Sequence, residues 1–260
     1  MNILAQLAEA TRERVAVARR RKPLSALQAE ALALPVGNFA FTQAISGDNI
    51  AFICECKKAS PSKGLIAPDY PYLDIARAYA AAGADCISVL TEPQWFLGDN
   101  GHLAEIAAAV SVPCLRKDFT VDEYMIYEAK VLGAAAVLLI VSLTETSRLR
   151  EYIAIADTLG LSALVEAHDR AEIETALTAG AKIIGVNNRN LTNFSVDTGN
   201  SLRLRQEVPP DILFVTESGI ATAADVAAAR AARANAVLVG ETLMRAADKR
   251  AKLHELKGIS

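Results

Sequence analysis

The chain has 260 residues, 52% of them hydrophobic, and a net charge of -3. That length buries a sizeable core, as one large domain or two smaller ones. The charge gives no reason to expect nucleic acid as a partner, and the longest nearly unbroken apolar run, Val131 to Val141, is too short to cross a bilayer.

The first residues, Met1-Asn2-Ile3-Leu4, lack the basic and continuous apolar stretches of a signal peptide. Glu9 and Glu13 argue against a transit peptide despite Arg12, Arg14 and Arg19 to Arg21. A soluble, cytoplasmic protein is expected. Ile3, Leu4, Leu7, Ala8 and Val15 make a loose apolar stripe on a first helix, and Leu24 and Leu27 continue the packing. The run Arg19 to Lys22 reads as the solvated end of that helix, where cations suit the dipole. Residues 1–48 therefore form an N-terminal helical extension, which either plugs the bottom of the fold or covers its top.

From Ala51 onward, short β-rich runs alternate with longer alanine-rich amphipathic segments. Strands are expected at Ala51 to Lys57, Cys86 to Leu90, Pro113 to Lys117 and Ala136 to Val141. Four more are expected at Ala163 to Glu166, Ile183 to Asn187, Leu213 to Glu217 and Ala236 to Gly240. Most are apolar on both faces, as parallel strands covered by helices are. Helices are expected from Asp74 to Ala82, Val121 to Leu132, Glu145 to Leu159 and Ala171 to Ala179. Each runs into a glycine suited to a left-handed cap, and Asp122 and Thr144 stand near two of the starts. Eight such βα units predict an α/β fold, a (β/α)8 (TIM) barrel. A doubly wound sheet is the rival, but no strand is followed by the G-x-G-x-x-G fingerprint. No composition break divides residues 1–260, so one domain is expected.

Cys54, Cys56, Cys86 and Cys114 lie in apolar strand-like runs and read as small core residues in a reducing compartment. His102, His168 and His254 are scattered, so no zinc-type spacing appears and no metal site is expected.

Chemistry in such a barrel sits where the strands end. Glu55 and Lys57, two apart, share one face of the first strand, opposite Phe52, Cys54 and Cys56. Strand 3 ends in Lys117, strand 5 in Glu166, strand 6 in Asn187 and Arg189, and strand 7 in Glu217 and Ser218. Any one of these could be a structural ion pair or a solvated strand end. Three glutamates and two lysines converging on one mouth point instead to general acid and base work. Two residues earlier, Ile53, Leu115, Leu164 and Val215 suit the barrel interior. The turns at Ser218-Gly219 and Gly240-Glu241, with Ser60 near Lys57, suit a phosphate held by backbone N–H groups.

These residues resemble the indole-3-glycerol-phosphate synthase family over nearly the whole chain. The motifs that carry the resemblance are Glu55-x-Lys57-x-x-Ser60-Pro61-Ser62, Leu115-Arg116-Lys117-Asp118-Phe119, Leu164-Val165-Glu166 and Asn187-Asn188-Arg189. Thr216-Glu217-Ser218-Gly219-Ile220 and Gly240-Glu241-x-Leu243-Met244 complete them. The resemblance implies ring closure of 1-(2-carboxyphenylamino)-1-deoxyribulose 5-phosphate to indole-3-glycerol phosphate, with loss of carbon dioxide and water and without metal or organic cofactor. It implies that Lys117 is the general acid and Glu166 the base of the dehydration. Glu55 and Lys57 would hold the sugar hydroxyls and support Lys117. Asn187, Arg189 and Glu217 would surround the anthranilate ring and carboxylate, where the guanidinium fork suits a carboxylate. Ser60, Ser218, Gly219, Gly240 and Glu241 would hold the phosphate, Pro61 would bind substrate, and Phe96 and Phe119 would wall the ring. The Glu241 side chain should point away from the phosphate.

The chain departs from the family at Trp95, where tyrosine is frequent, and at Leu97, where a polar residue is usual. Cys56 replaces a valine or tyrosine, and Asn190 an aspartate. Two other functions stay open. Phosphoribosylanthranilate isomerase would use a cysteine and an aspartate, but the strand 1 cysteines face the wrong way and strand 4 ends in no aspartate. A non-catalytic sugar-phosphate barrel would have no need of Lys117 or Glu166. The expected partner is a sugar phosphate, with no nucleic acid or membrane, for a monomer or weak homo-oligomer.

Overall fold

A computed structural model describes residues 3–190 and 194–259. Met1 and Asn2, with which the sequence-predicted extension begins, lie outside the described residues.

Eight parallel strands close into a barrel in chain order: β1 (Ala51–Cys56), β2 (Cys86–Leu90), β3 (Cys114–Lys117), β4 (Ala136–Ile140), β5 (Ser162–Ala167), β6 (Ile183–Asn187), β7 (Leu213–Glu217) and β8 (Ala236–Val239). β8 pairs back onto β1, with Ile53 opposite Leu238. Alternation along each strand sorts the side chains into two layers. Ile53, Leu115, Leu138, Leu164, Val215 and Leu238 fill the barrel. Phe52, Cys54, Cys56, Leu139, Val165, Ile184 and Phe214 face the helices. All four cysteines are buried and free. Fully burying one such apolar side chain contributes about 1.5–3 kcal/mol. The two layers therefore fix the register that sets the strand ends. Leu90 lies opposite Lys117, Ile140 opposite Glu166, and Asn187 opposite Glu217, so the polar termini form one ring.

The first strand ends one residue earlier than expected, leaving Lys57 just beyond β1, and Gly240 falls just beyond β8. Val141 begins a short 3-10 turn instead of ending a strand. Thr144 caps nothing: the helix there starts at Thr146 without a side-chain cap. Asp122 does accept the Tyr124 N–H at 2.8 Å, holding back the start of the next helix to Tyr124. Helices that alanine-rich periodicity leaves faint carry their own start signals. Asp99 caps Asn100–Ala109, and Thr222 and Asp225 form a reciprocal capping box on Ala223–Ala231.

The N-terminal extension does both things that were open to it. Helix α1 (Ile3–Arg21) lies across the top, where Ile3, Leu4 and Leu7 line the mouth cavity. Arg14 clamps it down with two hydrogen bonds to the buried Asp118, at 2.7 and 2.9 Å. Helix α2 is Leu24–Ala33. Helix α3 (Ala40–Ile45) plugs the bottom, with Phe41 and Ile45 fully buried in the barrel core and Thr42 bonded to Ser162 at the start of β5. The approach works because Gly37 and Gly160 touch backbone to backbone. Gly160 also has φ of 68°, so a side chain at that position is excluded twice. Among the described residues, no helix is long and apolar enough to cross a membrane.

Candidate active site

The ring of strand ends lines a cavity of about 460 Å³. All fifteen residues singled out in the sequence reach it: Glu55, Lys57, Ser60, Pro61, Phe96, Lys117, Phe119, Glu166, Asn187, Arg189, Glu217, Ser218, Gly219, Gly240 and Glu241. They form two charged groups. Lys57 Nζ donates to Glu55 Oε1 at 2.5 Å. Lys117 Nζ donates to Glu166 Oε2 at 3.0 Å and lies 3.2 Å from Glu217 Oε2. Asn187 Nδ2 donates to the other Glu166 oxygen at 3.1 Å, while its own Oδ1 accepts the Arg189 N–H. Hydrogen bonds thus fix the orientation of Glu166, with one oxygen towards the ammonium and one towards the amide.

The proton affinities follow from this geometry. Burial works to discharge Lys117, but Glu166, Glu217 and Glu55 outweigh it and hold the ammonium above its ordinary range. Burial works to raise Glu166, but Lys117, His168 and the Asn187 hydrogen bond keep it below the usual carboxylate range. Glu217 goes the other way. Burial pushes it up, and Lys117, shared with Glu166, only partly offsets that, leaving it at about 7. Its Oε1 is buried without a hydrogen-bond partner, a place where the proton can sit.

That difference has a measurable consequence. A carboxyl raised on folding contributes stability that is complete below about pH 4.5 and is lost as pH rises through about 7. Gln mimics the protonated acid at every pH. Above pH 7, Glu217→Gln is therefore expected to be more stable than the parent, by on the order of 3 kcal/mol, and to flatten the rise in Tm on acidification. Equal Tm values at pH 8 would contradict a buried, proton-holding Glu217.

Two glycines make room for these carboxylates. A Cβ on Gly185, in mid-β6, would overlap Glu217 Oε1 and lie 3.1 Å from Leu164 Cδ1. A Cβ on Gly240 would overlap Glu55 Oε1 and come within 3.0 Å of Lys57 Nζ. Gly240 thus does more than allow a turn. Overpacking a dense site costs about 1–3 kcal/mol. Gly185→Ala is expected to lose stability in that range, and to lower kcat by displacing Glu217 from Lys117. Thermal unfolding and steady-state assays check this, and a variant indistinguishable from its parent would refute the close fit.

The walls are held by residues that the sequence motifs left unassigned. Phe96 and Phe119 stand with ring centroids 5.9 Å apart. Buried Glu92 accepts the backbone N–H groups of Gln94, Trp95 and Phe96 at 2.8–2.9 Å, which folds the β2 loop and aims Phe96 inward. Leu97 is 41% exposed and stays out of the cavity, whereas Trp95 packs against the barrel core. Neither departure alters the walls. Asp118, next to Lys117, accepts from Thr91 Oγ1 as well as Arg14, so the helix over the mouth and the β3 end share one anchor. Glu92 and Asp118 carry a sequence signal only as buried acids beside apolar strands. The Arg14 partnership spans 104 residues and has no local signature.

At the opposite rim, Ser218 and Gly219 have φ of 66° and 83°, a left-handed pair that glycine adopts without strain and serine does not. The Glu241 carboxylate is drawn to cations, with Arg245 Nε at 3.1 Å, Lys63 Nζ at 3.4 Å and Arg189 Nη2 at 4.0 Å. Arg189 also donates to Ser62 Oγ at 3.2 Å. The Asn190 backbone N–H donates to Ser195 O at 2.9 Å. Among the described residues, no group of three or more His, Cys, Asp or Glu side chains is placed to hold a metal ion.

A model of the indole-3-glycerol phosphate synthase family matches residues 4–256. The indole-3-glycerol phosphate synthase of Ruminiclostridium cellulolyticum is 54% identical over 257 residues, covering 98% of this chain and 99% of that protein. That of Endomicrobium trichonymphae is 51% identical over 256 residues, with 98% and 99% covered. Among solved structures, a 3-hexulose-6-phosphate synthase superposes with a TM-score of 0.66 at 17% identity, over 81% of this chain and 100% of that one. A thiamine phosphate pyrophosphorylase from Pyrococcus furiosus gives 0.59 at 16% identity, over 80% and 94%. The structural likenesses speak for the barrel alone.

Proposed function

The chain belongs to the indole-3-glycerol phosphate synthase family, and on that premise we propose how its barrel mouth divides the work of the reaction. The activity is that of a carboxy-lyase of tryptophan biosynthesis. Its substrate, 1-(2-carboxyphenylamino)-1-deoxyribulose 5-phosphate, must lose its carboxylate as carbon dioxide and a hydroxyl as water while a carbon–carbon bond forms.

The observation that carries the assignment is Lys117, a half-buried ammonium between the buried Glu166 and Glu217 in the mouth cavity. The attacking aromatic carbon adds to the ribulose C2 carbonyl, whose oxygen becomes an alkoxide. Lys117 gives that oxygen its proton. Carbon dioxide then leaves and the ring recovers its aromaticity. In the dehydration, Glu166 takes the ring-side proton as the hydroxyl leaves as water with a second proton drawn from solvent, and the proton on Glu166 then passes to the deprotonated Lys117, 3.0 Å away. A carboxylate held ionised by Lys117 and Asn187 is ready for that task.

Glu55 and Lys57 hold the sugar hydroxyls, and Lys57 reaches towards the phosphate. Ser60, Ser218, Gly219, Gly240 and the Glu241 backbone receive the phosphate, with Pro61 in contact with substrate beside Ser60, while Lys63 and Arg245 hold the Glu241 side chain aside. Phe96 and Phe119 grip the anthranilate ring, with Asn187, Arg189 and Glu217 around it and its carboxylate. We place residues 1–260 in one domain, with residues 1–48 as its extension. It works in the cytoplasm as a monomer or weak homo-oligomer, with no nucleic acid partner.

Mixing the protein with this substrate should raise indole fluorescence, and a flat trace with folded protein would contradict the reading. A Gly219→Asp variant places a carboxylate in the phosphate turn, where its Cβ already meets Thr198 and Val196 at 2.6 and 2.8 Å. Its KM should rise at least about tenfold from like-charge repulsion. An unchanged KM would remove that turn from the phosphate site.

A further inference from the structure

Glu166 has a further neighbour at its Oε1. His168, two residues further on and just past the end of β5, aims Nε2 at Glu166 Oε1 from 3.4 Å, outside hydrogen-bond geometry, and that nitrogen is buried with no hydrogen-bond partner. The other ring nitrogen is held. Nδ1 lies 3.1 Å from Glu172 Oε2, and the same oxygen accepts the His168 backbone N–H at 2.8 Å. Asn200 Nδ2 donates to the His168 carbonyl at 3.1 Å. The ring and its backbone are therefore fixed from both sides.

Behind the ring opens a second cavity of about 460 Å³, polar and separate from the mouth cavity. His168, Glu172, Asn188, Asn190 and Asp197 line it, and it shares Asn187 with the mouth. A loose imidazole would need no such fastening, and a purely packing residue would not leave a buried nitrogen pointed at a carboxylate.

We propose that His168 is a positioning residue for Glu166: locked by Glu172, its imidazolium sets the charge and orientation of the base from the second cavity. The inference rests on Glu166 being the base. Lys117 supplies a cation to Oε2, but substrate binding and proton donation disturb that ammonium in every turnover. His168 supplies a second cation, on Oε1, that the reaction does not touch. The carboxylates acting on the ring all favour its charged form. They are Glu166 at the end of β5, Glu172 on the helix Arg170–Ala179 and Glu217 on β7, while Asp197 across the cavity is paired with Arg203 at 2.6 Å. Burial opposes the charge, yet the Glu172 hydrogen bond and the carboxylates outweigh it and raise the ring above the ordinary histidine value.

The pH dependence of kcat tests this. Removing the cation raises the proton affinity of Glu166. In His168→Asn the acidic limb should therefore move to higher pH by about one unit, with kcat below that limb down about tenfold, kcat above it little changed, and KM within twofold. Glu172→Gln keeps an acceptor for Nδ1–H but not the charge, and should shift the limb the same way by less. Histidine 15N chemical shifts of the unmodified protein give a readout independent of any variant's folding, and His168 should titrate above 6.5. Superimposable profiles for His168→Asn and its parent, alongside an inactive Glu166→Gln, would overturn this proposal alone. Full turnover by Glu166→Gln would remove the base and this proposal with it. A ring that titrates below 6.5 would overturn the charged form.

Discussion

Replacing Lys117 by Ala is expected to lower kcat by about a thousandfold or more, with KM changed far less. General acid catalysis by a positioned side chain is worth about 10²–10⁴, and here two losses coincide. The alkoxide at C2 has no proton donor, and Glu166 and Glu217 lose the ammonium that lies 3.0 and 3.2 Å away. Two buried carboxylates without that cation bind protons more tightly, so the base suffers as well as the acid. Lys117→Arg separates the contributions. It keeps a cation for both carboxylates, and hence the fold, but a guanidinium with a pKa above about 12 does not release its proton. A folded Lys117→Arg variant should still lose at least about a hundredfold in kcat. Turnover near that of the parent would show that Lys117 acts by charge and not by proton transfer.

Glu166→Gln is expected to be the second severe loss, about 10²–10⁴ in kcat, but by stopping a different step. The amide has nearly the same shape, Lys117 keeps Glu217 as its partner, and the aromatic walls and phosphate turns lie on other loops. Ring closure and carbon dioxide loss need the proton of Lys117 and not the base, so they should continue. Dehydration should stall, leaving an intermediate that has lost its carboxylate but has not become an indole. Circular dichroism and Tm close to those of the parent would establish that the loss is chemical.

The barrel was legible because β-alternation marks both faces of each strand. Leu115 and Lys117, like Leu164 and Glu166, show an interior apolar residue followed two places later by a mouth charge. The same rule put Cys54 and Cys56 outside. It could not tell which lysine is the acid, since Lys57 and Lys117 look alike as strand-end lysines, and that distinction came from the family resemblance. Gly185 reads as a weak point in a strand until Glu217 is placed beside it, because its cause lies on the neighbouring strand. His168 continues the alternation past Glu166, and only the fold adds Glu172 and the second cavity. The course of the N-terminal extension was open because its anchors are tertiary: Arg14 on Asp118 above, and Gly37 on Gly160 below. Helix starts such as Thr146 drifted because a threonine or aspartate nearby is a cap only when its oxygen reaches a free N–H.

The most direct test is a single turnover of Glu166→Gln on substrate labelled in the carboxyl carbon, following released carbon dioxide and indole fluorescence together. With Lys117 as acid and Glu166 as the later base, carbon dioxide should appear at nearly the parental rate while indole fluorescence lags by at least about a hundredfold. Lys117→Arg should delay both signals equally. Carbon dioxide and indole slowed in parallel in Glu166→Gln would contradict this division of labour at the barrel mouth.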